Sequence, residues 1–197
     1  MTGHAQRMRE PVSDGALERA VLAEINSARA DPRGYAERLR LYRGYFTDKV
    51  VVYPGNPRGL LTAEGVAAVD EAIAFLERQP PLPALAPSGL LAGAAGDHVA
   101  EQGPRGVTGH GSADGRRAPE RVRRRGGGAY VAETITYGPP SAVEVVRQLI
   151  VDDGVAGRGH RRIVYSGEFR FAGVRCGAHR VYAKMCVAVF GRAADGQ

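Results

Sequence analysis

The sequence predicts an α+β fold in which helices frame a small sheet. Three observations carry that prediction. Apolar residues recur at helical spacing in several N-terminal segments and again near residue 145, β-rich runs gather in the last third, and Pro/Gly clusters separate the two kinds of pattern. The first helix is expected after Ser13 and Asp14, with Leu17, Val21, Leu22 and Ile25 on one face. Asp31-Pro32 then supplies a capping carboxylate and a proline in the first turn, where its missing donor does no harm, so a second helix should run through Tyr35 and Leu39. Over residues 42–61 the periodicity dissolves into Tyr42, Tyr45, Phe46, Tyr53 and Gly/Pro punctuation, which predicts an aromatic-pinned loop.

Residues 64–79 read as a helix on Val66, Val69, Ile73 and Leu76, stopped by Pro80-Pro81. Pro80, Pro81, Pro83 and Pro87 hold an extended connector that delivers Ser88 as the cap of a further helix, 89–102, with Leu91, Ala94, Ala95 and Val99 as a small-residue packing face. Ser141 and Glu144 have the form of a capping box and open a helix with Val143, Val146, Leu149 and Ile150 inward. Residues 131–137 form one strand candidate, and 171–176 with 181–190 form an antiparallel pair.

The chain has 197 residues and 20.9 kDa. Its expected organisation is a flexible leader over 1–13, one domain over 14–191 and a short tail over 192–197. A chain of this size buries roughly 70% of its unfolded surface, so neither metal nor multiple disulfides are required for a core. No window approaches the ~20 consecutive apolar residues of a membrane span. The first sixteen residues contain no apolar run of signal-peptide length, so any targeting segment is expected to lie outside this sequence.

Twenty-seven Lys+Arg against 21 Asp+Glu give a formal net charge of +6, which permits attraction to phosphates, anionic lipids or an acidic cell wall. Lys49 and Lys184 are the only lysines. The densest basic cluster, Arg121 with Arg123, Arg124 and Arg125, precedes a triple glycine and reads as a solvated loop. It has neither interleaved aromatics nor a recognised reading motif, and nucleic acid is not expected as a partner.

Of the five histidines, His4 lies in the leader, His98 sits in mid-helix as a structural residue, and His179 falls in a turn sequence that reads as solvated. His110 and His160 are each preceded by glycine, which lets the backbone turn sharply and present an imidazole from a loop or helix end. Around them stand Ser112-Ala113-Asp114-Gly115, then Ala132-Glu133-Thr134-Ile135, then Gly159-His160-Arg161.

This ordered set resembles the CAP superfamily in its bacterial SCP-like form. The resemblance covers roughly residues 17–191 and includes Glu24-Ile25-Asn26-Ser27-Ala28-Arg29 in the first helix. His110, Ser112, Asp114, Gly115, Pro119 and Arg121 follow the family's bacterial pattern. The chain departs from it at Thr134 and Ile163, where asparagine is usual, and in having no tryptophan. The resemblance implies an α-β-α sandwich with a mainly antiparallel sheet covered by helices on both faces. It also implies a cleft in which two histidines and two acids converge: His110, Glu133, His160 and, as the fourth member, Asp153, with Asp152 as the fallback and Ser112 nearby.

Two imidazoles and a carboxylate suit Zn2+ or another divalent cation, with His110 and His160 as ligands and Glu133 or Asp153 as the base of any hydrolytic chemistry. No dedicated nucleophile is visible. Cys176 and Cys186, the only cysteines, permit one disulfide or two reduced core thiols, according to strand register. The disulfide accords with the extracellular or periplasmic habit that the resemblance implies. The expected function is a secreted, monomeric binding module for a protein, lipid or cell-wall partner; the alternative is a metal-dependent hydrolase or peptidase working in the same cleft.

Overall fold

The computed structural model describes residues 14–54 and 56–197. The leader expected over 1–13 lies outside the described residues. Helices α1 (Asp14–Ala30) and α2 (Pro32–Arg43) are separated at Asp31, whose carboxylate accepts from the Gly34 amide at 2.9 Å. The stretch over 42–61 is not a loop. It forms an antiparallel sheet of β1 (Phe46–Thr47), β2 (Val50–Tyr53) and β3 (Asn56–Leu61). Alternation was masked because three consecutive valines occupy β2. Only Val51 is buried there, while the Tyr53 and Phe46 rings meet Tyr42 edge-on with centroids 5.8 and 5.2 Å away.

Helix α3 (Val66–Arg78) follows, then the two-residue strand β4 (Ala86–Pro87) and α4 (Gly89–Arg105), whose first turn is capped by the Ser88 hydroxyl accepting from Leu91 N at 3.1 Å. The chain continues through α5 (Ala118–Arg124), β5 (Val131–Tyr137), α6 (Ala142–Val151), a 3-10 turn at Ala156–Arg158, α7 (Gly159–Val164), β6 (Phe171–His179) and β7 (Ala183–Gly191). The main sheet has the order β4-β6-β7-β5, antiparallel except for the β4/β6 pair. It is an α+β fold.

The period-two rule for strands divides the core. Ala172, Val174, Cys176, Cys186, Ala188 and Phe190 face a large cluster that includes Leu17, Val21 and Ile25 of α1 and Val146, Leu149 and Ile150 of α6. The alternate residues Met185, Val187 and Val189, with Ile135, meet Leu91, Ala94 and Ala95 of α4 and Val122 of α5. Helices therefore cover both faces. Cys176 lies directly opposite Cys186 in the β6/β7 ladder, and the two form a disulfide. The turn falls after His179, so the register brings the thiols together rather than staggering them.

Two sequence expectations change. The arginine cluster is not a solvated loop: Arg121, Arg123 and Arg124 lie on α5, and Arg121 is buried. His179 is likewise buried, at the end of β6. One of its ring nitrogens bonds the Val107 carbonyl at 2.9 Å, and the other accepts from the Val181 and Tyr182 amides. Its role is to close the β6/β7 turn. The 192–197 segment is bonded to the body, with Asp195 and Gly196 carbonyls accepting from the Gly128 and Tyr130 amides.

Candidate functional site

The site grows from two chain reversals on different elements. The first follows α4, which ends at Gly106 in the left-handed conformation and leads to Gly109 at φ +107°, a value that L side chains rarely adopt. Gly109 is gripped from both sides. Its N–H donates to the Tyr137 hydroxyl at 2.9 Å, and its carbonyl accepts from Gln102 Nε2 at 2.8 Å and His98 Nε2 at 2.9 Å. The Tyr137 hydroxyl in turn donates to Gln102 Oε1 at 2.6 Å. His98 is thus a fully buried polar strut whose burial lowers its proton affinity. The clamp fixes the backbone immediately before His110.

His110 Nδ1 lies 2.9 Å from Glu133 Oε1, and the other oxygen of Glu133 pairs with the Arg121 guanidinium. Arg121 also reaches the loop that carries His110, donating from Nη1 to the His110 carbonyl, the Ser112 hydroxyl and the Arg116 carbonyl, each at 3.2 Å. Burial alone would raise the Glu133 pKa; the hydrogen bond from His110 and the Arg121 charge outweigh it and hold the carboxyl below its usual range. An ionised carboxylate only accepts, so the His110 Nδ1 carries the proton and Nε2 keeps its lone pair in the neutral ring.

The second reversal ends α6. Asp152 sits at φ +55°, and its carboxylate collects His160 Nδ1 at 2.6 Å, the His160 amide at 2.8 Å and the Arg161 amide at 3.3 Å. Arg161 ties the same corner from beneath, donating to the carbonyls of Ile150 at 2.6 Å and Val151 at 2.9 Å. The carboxylate beside His160 is therefore Asp152 and not Asp153. Asp153 points the other way and accepts from the amides of Ala63 at 2.7 Å and Glu64 at 2.8 Å, at the start of α3. The physical reason is the left-handed turn at Asp152, which folds that side chain back over the N-terminus of α7 and turns the next one outward. Arg158 adds a clasp to Glu64 and Glu71 that holds the His160 loop against α3, and Arg158 with the Gly154 amide lowers the Glu64 pKa to about 2.

The two reversals meet. The His110 and His160 rings, fifty positions apart in sequence, stand with centroids 6.3 Å apart and planes tilted by 41°. Their side chains are 40% and 20% exposed, whereas Glu133 and Asp152 are at 4% and 1%. The imidazoles thus reach solvent and the acids support them from behind. Neither Nε2 has a hydrogen-bond partner among the described residues.

Among the described residues, no three or more His, Cys, Asp or Glu side chains converge as a ready metal-ligand set. The donor chemistry still suits a divalent cation in one respect: each histidine is bonded at Nδ1 to a carboxylate, the arrangement that orients imidazoles whose other nitrogen binds a metal. A cavity of about 640 Å³, lined by Glu101, Ser112, Asp114, Arg116 and Arg121 among others, shares Ser112 and Arg121 with the site, but neither imidazole lines it.

Sequence reasoning had His110, Glu133 and His160 in place, named Ser112 as a neighbour and ranked Asp152 second. It missed Arg121 as the counter-ion of Glu133, and the clamp of His98, Gln102 and Tyr137. His98 and Gln102 are four apart and share one face of α4, which was the available signal.

No protein-family model matches the sequence, and no curated protein matches it. Two solved structures are similar to the chain. One is an extracellular protein containing an SCP domain from Bacillus anthracis str. Ames, at 19% identity and a TM-score of 0.46, covering 64% of this chain and 37% of that one. The other is an outer surface protein from Borrelia burgdorferi, at 14% identity and a TM-score of 0.46, covering 55% of this chain and 77% of that one. The likeness is one of partial backbone course, and no residue assignment above depends on it.

Proposed function

We propose that this chain is a secreted, SCP-like binding module whose ligand meets the paired imidazoles of His110 and His160, rather than an enzyme. The observation that carries the reading is that every other polar group at the pair is already committed. Glu133 is held by Arg121 and His110, Asp152 by two backbone amides and His160, and the Ser112 hydroxyl by Arg121. The two carboxylates and the Ser112 hydroxyl would first have to break those bonds to act as base or nucleophile, which leaves the imidazole Nε2 atoms as the open groups. What is left open is a pair of Nε2 atoms on a rigid backing, a binding surface for a hydrogen-bonding group or a cation. The partner is a protein, a lipid or a cell-wall component outside the membrane.

A divalent cation such as Zn2+ fits as an auxiliary of this site. His110 and His160 would hold it through Nε2, with Glu133 and Asp152 fixing the rings and water or ligand filling the remaining positions. Bound there, it would supply Lewis acidity. The carboxylate-backed histidines are also the one observation that favours the alternative, a metal-dependent hydrolase.

Titration calorimetry with Zn2+ on the intact chain and on His110→Ala and His160→Ala, run beside a peptide-hydrolysis assay with and without zinc, tests both readings. The expected result is zinc uptake lost in either variant and no hydrolysis in any sample. Zinc-dependent cleavage abolished by His110→Ala would replace the binding module with the hydrolase.

A further inference from the structure

The main sheet has two rims, and only one is blunted. At the first, β4 is two residues long and ends on Pro87, which has no donor for a neighbour. At the second, β5 runs for seven residues without proline, lysine or bulge, in unbroken register with β7. Its one charged side chain, Glu133, is neutralised by Arg121. Two observations fix the phase of this ladder. The Cα atoms of Cys176 and Cys186 are 4.1 Å apart, the spacing of a pair that exchanges no backbone bonds, so the Cys186 amide and carbonyl turn away from β6 and toward Thr136 of β5. The Gly138 amide, two residues further along, donates to the Lys184 carbonyl in the same phase. Ala132, Thr134 and Thr136 therefore bond β7, while Glu133, Ile135 and Tyr137 direct their N–H and C=O groups away from it. None of those six groups has a hydrogen-bond partner among the described residues.

Solvent reaches this edge. Glu133 and Ile135 are 7% and 6% exposed, against 1% and 2% for Thr134 and Thr136. The Glu133 side chain is only 4% exposed, so its backbone carries part of the total. Successive outward amide and carbonyl pairs on a regular, undefended strand match one kind of partner, an extended backbone with the same repeat. The edge also leads to the histidines. Helix α7, through Val164, packs on one face of the sheet, and Glu133 lies on the other with Ile135, so the His160 and His110 rings that they position meet around this rim. We propose that an extended peptide segment of a partner adds to the main sheet as a fifth strand along β5, with one end at the histidine pair. This rests on the binding-module reading and specifies its partner as a polypeptide.

The probe is a library of random heptapeptides displayed on phage and selected against the full chain, the best binder then being synthesised with each backbone nitrogen methylated in turn. Binding should fall about tenfold or more at alternate positions, where a donor to β5 is lost, and should hold at the positions between them. Amide exchange followed by NMR should show Glu133, Ile135 and Tyr137 slowed by the peptide, with Thr134 and Thr136 slow in its absence as well. No selected binder, a methylation pattern without the period of two, or unchanged exchange at Glu133, Ile135 and Tyr137 overturns the proposal. So does protection of those three amides in the free chain that fades on dilution, since the edge would then be held by a second copy. Zinc-dependent cleavage of the bound peptide would retire the binding-module reading and leave the strand pairing in place; a peptide that binds without slowing the β5 amides would do the reverse.

Discussion

Glu133 and Arg121 form a buried ion pair whose second ends both hold the loop that carries His110: the carboxylate through the imidazole, the guanidinium through the loop's own carbonyls. Glu133→Gln should therefore do more than remove a side-chain charge. It strands the Arg121 cation in the interior, which costs about 3–5 kcal/mol. Arg121→Met should be comparably damaging, because it leaves the Glu133 carboxylate unpaired. The double variant should be less destabilised than the two single losses added together, as urea denaturation at neutral pH would read in a double-mutant cycle.

Asp152 and Asp153 separate cleanly by experiment. Asp152→Asn keeps a residue that tolerates the left-handed backbone but removes the charge behind His160, so zinc affinity should fall about 10- to 100-fold. Asp153→Asn gives up one of the two acceptors that hold the Ala63 and Glu64 amides ahead of α3, away from the imidazoles, and should leave zinc affinity as it was. Equal losses in the two variants, measured by calorimetry, would mean that Asp152 does not orient His160.

Acid should destabilise the fold through His98, whose charged form is penalised by burial. Burial lowers its folded pKa below the ordinary 6.5, with Arg121 adding to the shift and the bond to the Gly109 carbonyl, Glu133 and Glu101 opposing it. Below pH 6.5 the unfolded chain therefore takes up this proton first. The stabilising contribution is complete above that value and drains away as pH falls toward the folded pKa. His98→Asn should flatten the pH dependence of the melting temperature between pH 7 and about 5. Parallel curves for the two proteins would refute the assignment. At lower pH the depressed Glu133 carboxyl acts with the same sign, its contribution vanishing as pH falls below 4.5 and through its folded pKa.

Gly173 and Gly103 are required by contact rather than by backbone angle. A Cβ at Gly173 would lie 1.9 Å from the Ala92 amide nitrogen, and one at Gly103 would lie 2.3 Å from the Ala178 carbonyl oxygen. In both places α4 rests against the β6/β7 hairpin at backbone distance. Gly173→Ala and Gly103→Ala should each destabilise by about 3 kcal/mol or more, at the severe end of overpacking. Gly89→Ala at the first turn of α4 meets nothing within 4 Å and should be neutral or stabilise by up to about 1 kcal/mol. Thermal melts of the three variants give the comparison.

Most of the fold was readable because its signals are local. Ser88 and Ser141 announced their helices, and β-rich runs announced β5, β6 and β7. The inserted sheet was hidden because its strands carry apolar residues on both faces, which erases alternation. At the site, the resemblance grouped His110, Glu133 and His160 in one cleft without saying which acid meets which imidazole. Choosing between Asp152 and Asp153 depended on one left-handed residue, and adjacent aspartates give no local reason to prefer either. Arg121 looked solvated because the arginine run around it leads into a triple glycine, and only the tertiary position of Glu133 draws it inward.

In the main sheet, β5 has a single neighbouring strand, and that strand is β7, more than forty residues downstream. On a ribosome or a translocation channel, Glu133 has no ladder to sit in until Ala183–Gly191 has emerged. The histidine pair is therefore among the last features the nascent polypeptide can assemble, and an incompletely synthesised copy would have α1, α2 and α3 available to pack before it had any binding surface at all.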